Sequence, residues 1–378
     1  MYRISVKPPH PCNLALILFL CLYLYIPPVQ VAQAAELSYS MPGSPGPLTV
    51  YCNDVTLHDG SRGKDIELRA TYPKEPGSYP VVIFSHGAGG SSSAATPLVR
   101  YWASHGYIII APTHADSIEL YKRQHPEEVE QWRKDGGRLF MAKMLRDIGR
   151  SPEDWANRAQ DISFVLDELE TVEMLIPGLT GKPDYTRIGM SGHSYGAFTT
   201  MLIGGAEISP PGAGYSVNYA DQRADALMVL SGQGVGRLGL DENSWEAFDR
   251  PMLVMSGTED SSAGGMDIES RRDPYDYAPA DDKYLVWIED AYHASFTGGL
   301  AEGGETAHRK ALWVEWVLGS AEAEAIEQTD QVAVFDCVKS ATLAFWDSYL
   351  KDDESAVDWL TAAHLRQASG AELEFSSK

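Results

Sequence analysis

Thr186-Arg-Ile-Gly-Met-Ser-Gly-His-Ser-Tyr-Gly-Ala-Phe-Thr-Thr200 is the stretch on which the reading of this chain turns. A short apolar run enters Gly192-His193-Ser194-Tyr195-Gly196 and leaves as a small-residue segment suited to a helix. A serine on a sharp strand-to-helix turn holds strained backbone angles, and glycines two before and two after it let the flanking backbones pass closely. Such a turn projects the hydroxyl outward. The helix that follows aims its free N–H groups at the same spot, which favours a developing negative charge. Ser194 is therefore a candidate nucleophile, and the pattern gains weight only if the chain supplies partners for it.

A serine hydroxyl attacks poorly at neutral pH without a base, and the base needs an acid that fixes its tautomer and stabilises the imidazolium. The run Met252 to Met255 reads as a strand and ends in Ser256-Gly257-Thr258-Glu259-Asp260, which makes Asp260 the expected acid and Glu259 its rival. The next strand, Tyr284 to Ile288, leads through Asp290 to His293-Ala294-Ser295-Phe296, so His293 is the expected base. Asp290 is a second alternative for the orienting carboxylate. The order Ser194, Asp260, His293 is that of one known serine-hydrolase arrangement and differs from two others. The oxyanion donors are expected to be the backbone N–H of Tyr195 and that of Ala88, in the loop His86-Gly87-Ala88.

Among the other histidines, His114 ends a strand in His114-Ala115-Asp116 and is expected to touch substrate or support the site. His193, beside the serine, is assigned the same pair of roles, and His58 and His125 read as solvated. No H-E-x-x-H or Cys-x-x-Cys pattern occurs, so no metal site is expected.

Working outward, Leu48 to Leu57 and Ile66 to Tyr72 alternate apolar and polar side chains around a Gly-containing loop, the signature of a hairpin. Val81 to Phe84, Tyr107 to Ala111, Ile188 to Met190 and Ala226 to Leu230 are instead continuous apolar runs, as strands buried on both faces require. Helical patterns at Pro97 to His105, Glu153 to Thr171 and Val334 to Leu350 alternate with them. The expectation is an α/β protein: a mostly parallel sheet with helices on both faces. Residues 116–150 interrupt the alternation with Tyr121, Trp132, Phe140, Met141 and Met144, a helical insertion placed to act as a lid or to pack its own aromatics.

The chain has 378 residues, 44% hydrophobic and 22% charged, which suits one large domain from 35 to 378. Arg3 and Lys7 precede the apolar run Leu14 to Ile26, and Ala32-Gln33-Ala34 offers small residues at signal-peptidase spacing. Residues 1–34 thus read as a cleaved signal peptide, since a run of about 13 residues is short of the roughly 20 that span a bilayer. The mature protein is expected in the periplasm or outside the cell, with no membrane span. Removing two basic residues takes the net charge from −23 to −25, which repels nucleic acid and anionic headgroups. Cys52 and Cys337 remain after cleavage, and an oxidising compartment would let them pair.

With these residues in place, the chain resembles the α/β-hydrolase superfamily, and within it the bacterial branch grouped with dienelactone hydrolases and platelet-activating-factor acetylhydrolases. The resemblance spans roughly residues 50 to 350. It rests on Phe84-Ser-His-Gly-Ala-Gly-Gly90, Gly192-His-Ser-Tyr-Gly196, Gly257-Thr-Glu-Asp260, His293-Ala-Ser-Phe296 and Ala344-Phe-Trp-Asp-Ser-Tyr-Leu-Lys351. It implies the α/β-hydrolase fold with an eight-stranded sheet, no cofactor, and hydrolysis of small-molecule or lipid carboxylic esters through an acyl-enzyme. Two departures limit it. Strict dienelactone hydrolases use cysteine where Ser194 stands, and the acetylhydrolases carry their acid after the strand that here ends in Leu230-Ser231-Gly232-Gln233, without a carboxylate. A lipase or phospholipase A2-like acyl hydrolase and a polyester or polysaccharide esterase are the alternatives, with a non-catalytic interaction protein on the same scaffold as a third.

Overall fold

The continuous apolar runs form central strands because both of their faces are covered. The computed structural model describes residues 43–134, 151–210, 212, 214–261, 267–301, 326 and 329–378, within one compact unit spanning Tyr39–Lys378. Nine strands form one sheet: β1 Val50–Asp59, β2 Lys64–Pro73, β3 Tyr79–Ser85, β4 Ile108–Thr113, β5 Pro183–His193, β6 Ala226–Leu230, β7 Met252–Glu259, β8 Lys283–Tyr292 and β9 Leu373–Ser377. Their order is β1-β2-β4-β3-β5-β6-β7-β8-β9. Pairing is parallel from β4 across to β8 and antiparallel at the two edges. The sheet thus has one strand more than the eight expected. The addition is β9, whose Leu373 to Ser377 pair antiparallel with Ile288 to Tyr284.

Alternation along each strand divides the core in two. Val81, Ile83, Met190, Leu227, Val229 and Val254 face one side, where they pack with Trp155, Ile162, Val165 and Phe198. Val82, Phe84, Met228, Leu230, Met255 and Val286 face the other, with Trp102, Val338, Phe345 and Trp346. The central strands β3, β4 and β6 are therefore buried at every position, which removes the polar alternation seen in half-exposed strands. Among the described residues the α-helices are α1 Thr96–Ser104, α2 Ile118–Gln124, α3 Pro126–Lys134, α4 Pro152–Asp167, α5 Leu169–Leu175, α6 Tyr195–Gly204, α7 Asp273–Tyr277, the long α8 Gln331–Leu350, α9 Glu354–Val357 and α10 Ala362–Ser369. The crossover expected as a single helix from 153 to 171 is broken at Glu168 into α4 and α5. Ser151 and Asp154 form a capping box at its start, with Pro152 in the first turn.

The insertion is helical over α2 and α3, where Tyr121 stacks on Trp132 with ring centroids 5.4 Å apart. Phe140, Met141 and Met144 lie outside the described residues, as do the leader and its cleavage site. Among the described residues no helix is long and apolar enough to cross a membrane. Cys52 and Cys337 do not pair: both thiols are free, Cys52 exposed on edge strand β1 and Cys337 buried in α8. Burial among apolar neighbours pushes the Cys337 thiol up to about 12.

Candidate active site

Parallel strands deliver their C-terminal ends, and the loops that follow, to one edge of the sheet. The loop Ser85–Gly90 after β3, Ser194 after β5, Ser231 after β6, Asp260 after β7 and His293 after β8 all lie there.

Ser194 sits between β5 and α6 at φ 57° and ψ −119°, a conformation that costs a non-glycine residue free energy and is held by its surroundings. Two glycines make the turn feasible. A Cβ on Gly192 would stand 2.2 Å from the Gly196 carbonyl oxygen, and one on Gly196 would stand 1.9 Å from that of Ser85. The Ser194 N–H donates to the Leu230 carbonyl at 2.9 Å, which ties the turn to the end of β6.

His293 Nε2 lies 2.9 Å from Ser194 Oγ, and its Nδ1 lies 2.8 Å from Asp260 Oδ1. With Nδ1–H donated to the carboxylate, Nε2 presents its lone pair to the serine hydroxyl. Of the three carboxylates weighed from sequence, Asp260 is the one bonded to the ring, while Glu259 and Asp290 are exposed. Asp260 is fully buried and saturated: Ser256 Oγ donates to Oδ2 at 2.7 Å and Ser231 Oγ to Oδ1 at 2.9 Å. Arg271, also fully buried, reaches Oδ1 at 3.2 Å and donates to the carbonyls of Asp260, Ser231 and Gly232 at 2.7–2.9 Å. Burial alone would raise the Asp260 pKa, but the Arg271 charge and the bonds from His293 and Ser256 outweigh it and hold the group down to about 2. Arg271 Nη2 also lies 3.3 Å from His293 Nδ1, a contact between two donors once Nδ1 carries its proton.

His193 is half-buried and bridges the two halves of the site. Its Nε2 donates to the His293 carbonyl at 2.7 Å, and the two rings stand 4.8 Å apart. Burial and the neighbouring His293 lower its pKa to about 3, so it is a neutral brace for the base loop.

The loop Ser85–Gly90 lies against the serine, since a Cβ on Gly87 would stand 3.4 Å from Ser194 Cβ. Ala88 packs against the core beside it, and Tyr195, the first residue of α6, has an N–H in the first turn, where helices lack internal acceptors. Behind the loop is a buried ionic network. Arg158 pairs with Asp116 at 2.8 Å, and Asp161 accepts from His114 Nδ1 at 2.9 Å, Lys64 at 2.7 Å and Arg62 at 2.8 Å. His114 Nε2 reaches Ser85 Oγ at 2.9 Å and its side chain is closed off from the surface. His114 is thus buried behind the loop, bonded to Ser85 and Asp161. Ser231, Arg271, Arg158 and Asp116 were absent from the sequence-derived site.

Residues 44–146 match the family model described as Chlorophyllase. The platelet-activating factor acetylhydrolase of Cavia porcellus is 23% identical over 296 residues, covering 74% of this chain and 60% of that protein. Chlorophyllase-2 of Arabidopsis thaliana is 25% identical over 195 residues, 50% of this chain and 49% of that one. The matches thus span between half and three-fifths of those relatives' own lengths. A ferulic acid esterase from Streptomyces cinnamoneus superposes with a TM-score of 0.54 at 18% identity, over 89% of this chain and 98% of that one. The sheet order, the strained turn after β5 and these likenesses identify an α/β-hydrolase fold.

Proposed function

We propose that the protein is a serine-dependent carboxylic ester hydrolase. The observation that carries the reading is the chain of contacts from Ser194 Oγ to His293 Nε2 and from His293 Nδ1 to Asp260, at 2.9 and 2.8 Å, on a turn of positive φ. His293 takes the Ser194 proton as the oxygen attacks the ester carbonyl, then returns it to the leaving alcohol. Water deprotonated by the same nitrogen releases the acid from the acyl-enzyme. Asp260 orients the ring and balances the imidazolium, and the N–H groups of Tyr195 and Ala88 receive the oxyanion. The names of the relatives, an acetylhydrolase, a chlorophyllase and an esterase, support an ester as the bond cleaved. The leader pattern supports a periplasmic or secreted enzyme.

Wild-type protein should hydrolyse nitrophenyl esters and take up one equivalent of a fluorophosphonate, whereas Ser194→Ala should do neither. Normal turnover by Ser194→Ala would sink the reading. A panel of nitrophenyl esters from acetyl to palmitoyl, with a short-chain phospholipid alongside, separates an esterase from a lipase.

A further inference from the structure

An oxyanion donor on a loop is useful only if the loop holds it still, and losing one such donor typically costs about 10²–10³ in kcat. Ala88 lies in the segment after β3, with no helix or strand of its own to fix it. The Gly90 N–H closes a turn on the Gly87 carbonyl at 3.0 Å and the Ile118 N–H bonds the Gly89 carbonyl at 3.1 Å, and one buried side chain reaches two of the loop's carbonyls. We infer that Arg158, held by Asp116, is the positioning residue that aligns both oxyanion donors; the inference rests on the esterase reading above.

The Arg158 guanidinium is 3% exposed and its rigid fork is fully engaged. Nη1 donates to the His86 carbonyl at 2.7 Å and to Ser85 Oγ at 3.3 Å, and Nη2 to the Gly87 carbonyl at 3.4 Å. Asp116 receives Nε at 3.0 Å and Nη2 at 2.8 Å, and its Oδ2 also accepts the Gly89 N–H at 3.0 Å. The ion pair therefore grips the backbone on both sides of Ala88.

The geometry of a peptide makes that grip directional. The Gly87 carbonyl and the Ala88 N–H belong to one planar trans unit, so they point in opposite directions. The carbonyl is pinned from behind by Arg158 and by His86 Nδ1–H at 2.7 Å. The Ala88 N–H consequently points away from the buried ion pair, and the cation at the carbonyl end polarises the amide and strengthens its donor. The second donor is held by the same group. The guanidinium carbon lies 4.2 Å from the centre of the Tyr195 ring, and Tyr195 carries the other N–H. Ser85 on β3, Arg158 on α4 and Tyr195 on α6 are thereby joined at a single cation, which reaches the peptide preceding one donor and the ring of the residue that carries the other.

The test compares ground-state with transition-state binding in Arg158→Met, Arg158→Lys and Asp116→Asn. A trifluoromethyl ketone with the acyl chain of the best nitrophenyl ester forms an oxyanion at Ser194, while the matching unreactive amide does not. Arg158→Met should lower kcat and ketone affinity together by about 10²–10³, with amide affinity and KM within about twofold. Arg158→Lys, which keeps the charge and loses the fork, should fall between it and wild type. If Arg158→Met does not fold, the isosteric Asp116→Asn should show the same split with a smaller factor. Variants that melt earlier yet keep wild-type kcat and ketone affinity per fluorophosphonate-titrated site would overturn the inference and leave the Ser194 mechanism intact. Turnover by Ser194→Ala would overturn that mechanism instead.

Discussion

Two buried arginines flank the site and make an informative pair. Arg271 and Arg158 each sit against an aspartate and donate to carbonyls of a loop at the sheet's C-terminal edge. The partner of Arg271 is Asp260, which also bonds His293, whereas the partner of Arg158 is Asp116, which among the described residues bonds the loop backbone and the guanidinium. On the acid side, then, the cation bears directly on the proposed chemistry, and on the oxyanion side it bears on the shape of a loop. Buried ion pairs contribute little net stability because desolvation offsets their attraction, so their value here lies in the geometry they impose.

The sharpest break between the sides should come from removing each carboxylate's charge. Asp260→Asn leaves His293 with a partner that can hold the wrong tautomer, and kcat should fall by about 10⁴, as when the corresponding charge is removed from a serine-protease triad. Asp116→Asn should cost far less. Equal losses in steady-state assays would show that the division between chemistry and scaffold is misplaced.

Stability should rank the two arginines in the same order. Asp260 is completely enclosed, so Arg271→Met strands a charge with no water to receive it, a loss of about 3–5 kcal/mol. The Asp116 side chain is 17% exposed and can be rehydrated, so Arg158→Met should lose less. Urea denaturation of both variants decides it, and the reverse order would break the comparison.

The fold was legible in sequence wherever burial on both faces wrote a continuous apolar run, as in Val81 to Phe84 or Ala226 to Leu230. It was not legible at β9, whose Leu-Glu-Phe-Ser-Ser is short, half-polar and held to the edge by backbone pairing with β8. The residues read from strand ends, Ser194, Asp260 and His293, are brought within bonding distance because the strand ends are brought together. The arginines were missed for a different reason, since an isolated charge reads as solvated. For Arg158 a signal existed: with Asp161 it lies on the buried stripe of α4 that also carries Trp155, Ile162 and Val165. A charge at a core position of a helix needs a buried partner. Arg271, in Glu269-Ser-Arg-Arg272 without periodicity, offered no such clue.

Acid should weaken the oxyanion side before the acid side. Burial lowers the pKa of His86 from 6.5 to about 3 and lowers that of His114 as well; both lie behind the oxyanion loop. A depressed histidine means that the unfolded chain binds protons which the folded one refuses, so stability declines as pH falls from about 6.5 toward 3. His193 adds to the same window. Asp161 and Asp260, held to about 2, contribute stability that is complete above their ordinary 3.8 and lost only as pH falls through about 2. Melting temperature should therefore drop steadily between pH 6.5 and 4, with a shallower slope in His86→Gln. A curve flat down to pH 4 would assign acid sensitivity to the carboxylates alone.

The smallest effects should come from the carboxylates that sequence could not separate from Asp260. Glu259 is its immediate neighbour, but it is exposed at the end of β7, so its charge is screened by water and reaches His293 only weakly. Asp290 is three residues before the base, yet it is exposed too, and its φ of 57° and the bond from its N–H to Thr258 Oγ1 at 3.0 Å assign it to an irregularity near the end of β8. Asparagine tolerates that backbone conformation as well as aspartate does. Glu259→Gln and Asp290→Asn should accordingly keep kcat within about twofold of wild type, since exposed charges contribute at most about 1 kcal/mol. The distinction is one of enclosure: the same carboxylate chemistry within a few residues acts on His293 only where Arg271, Ser231 and Ser256 shut out water around it. A large loss in either variant would mean that the acid side extends to the surface and that enclosure by Arg271 does not set it apart.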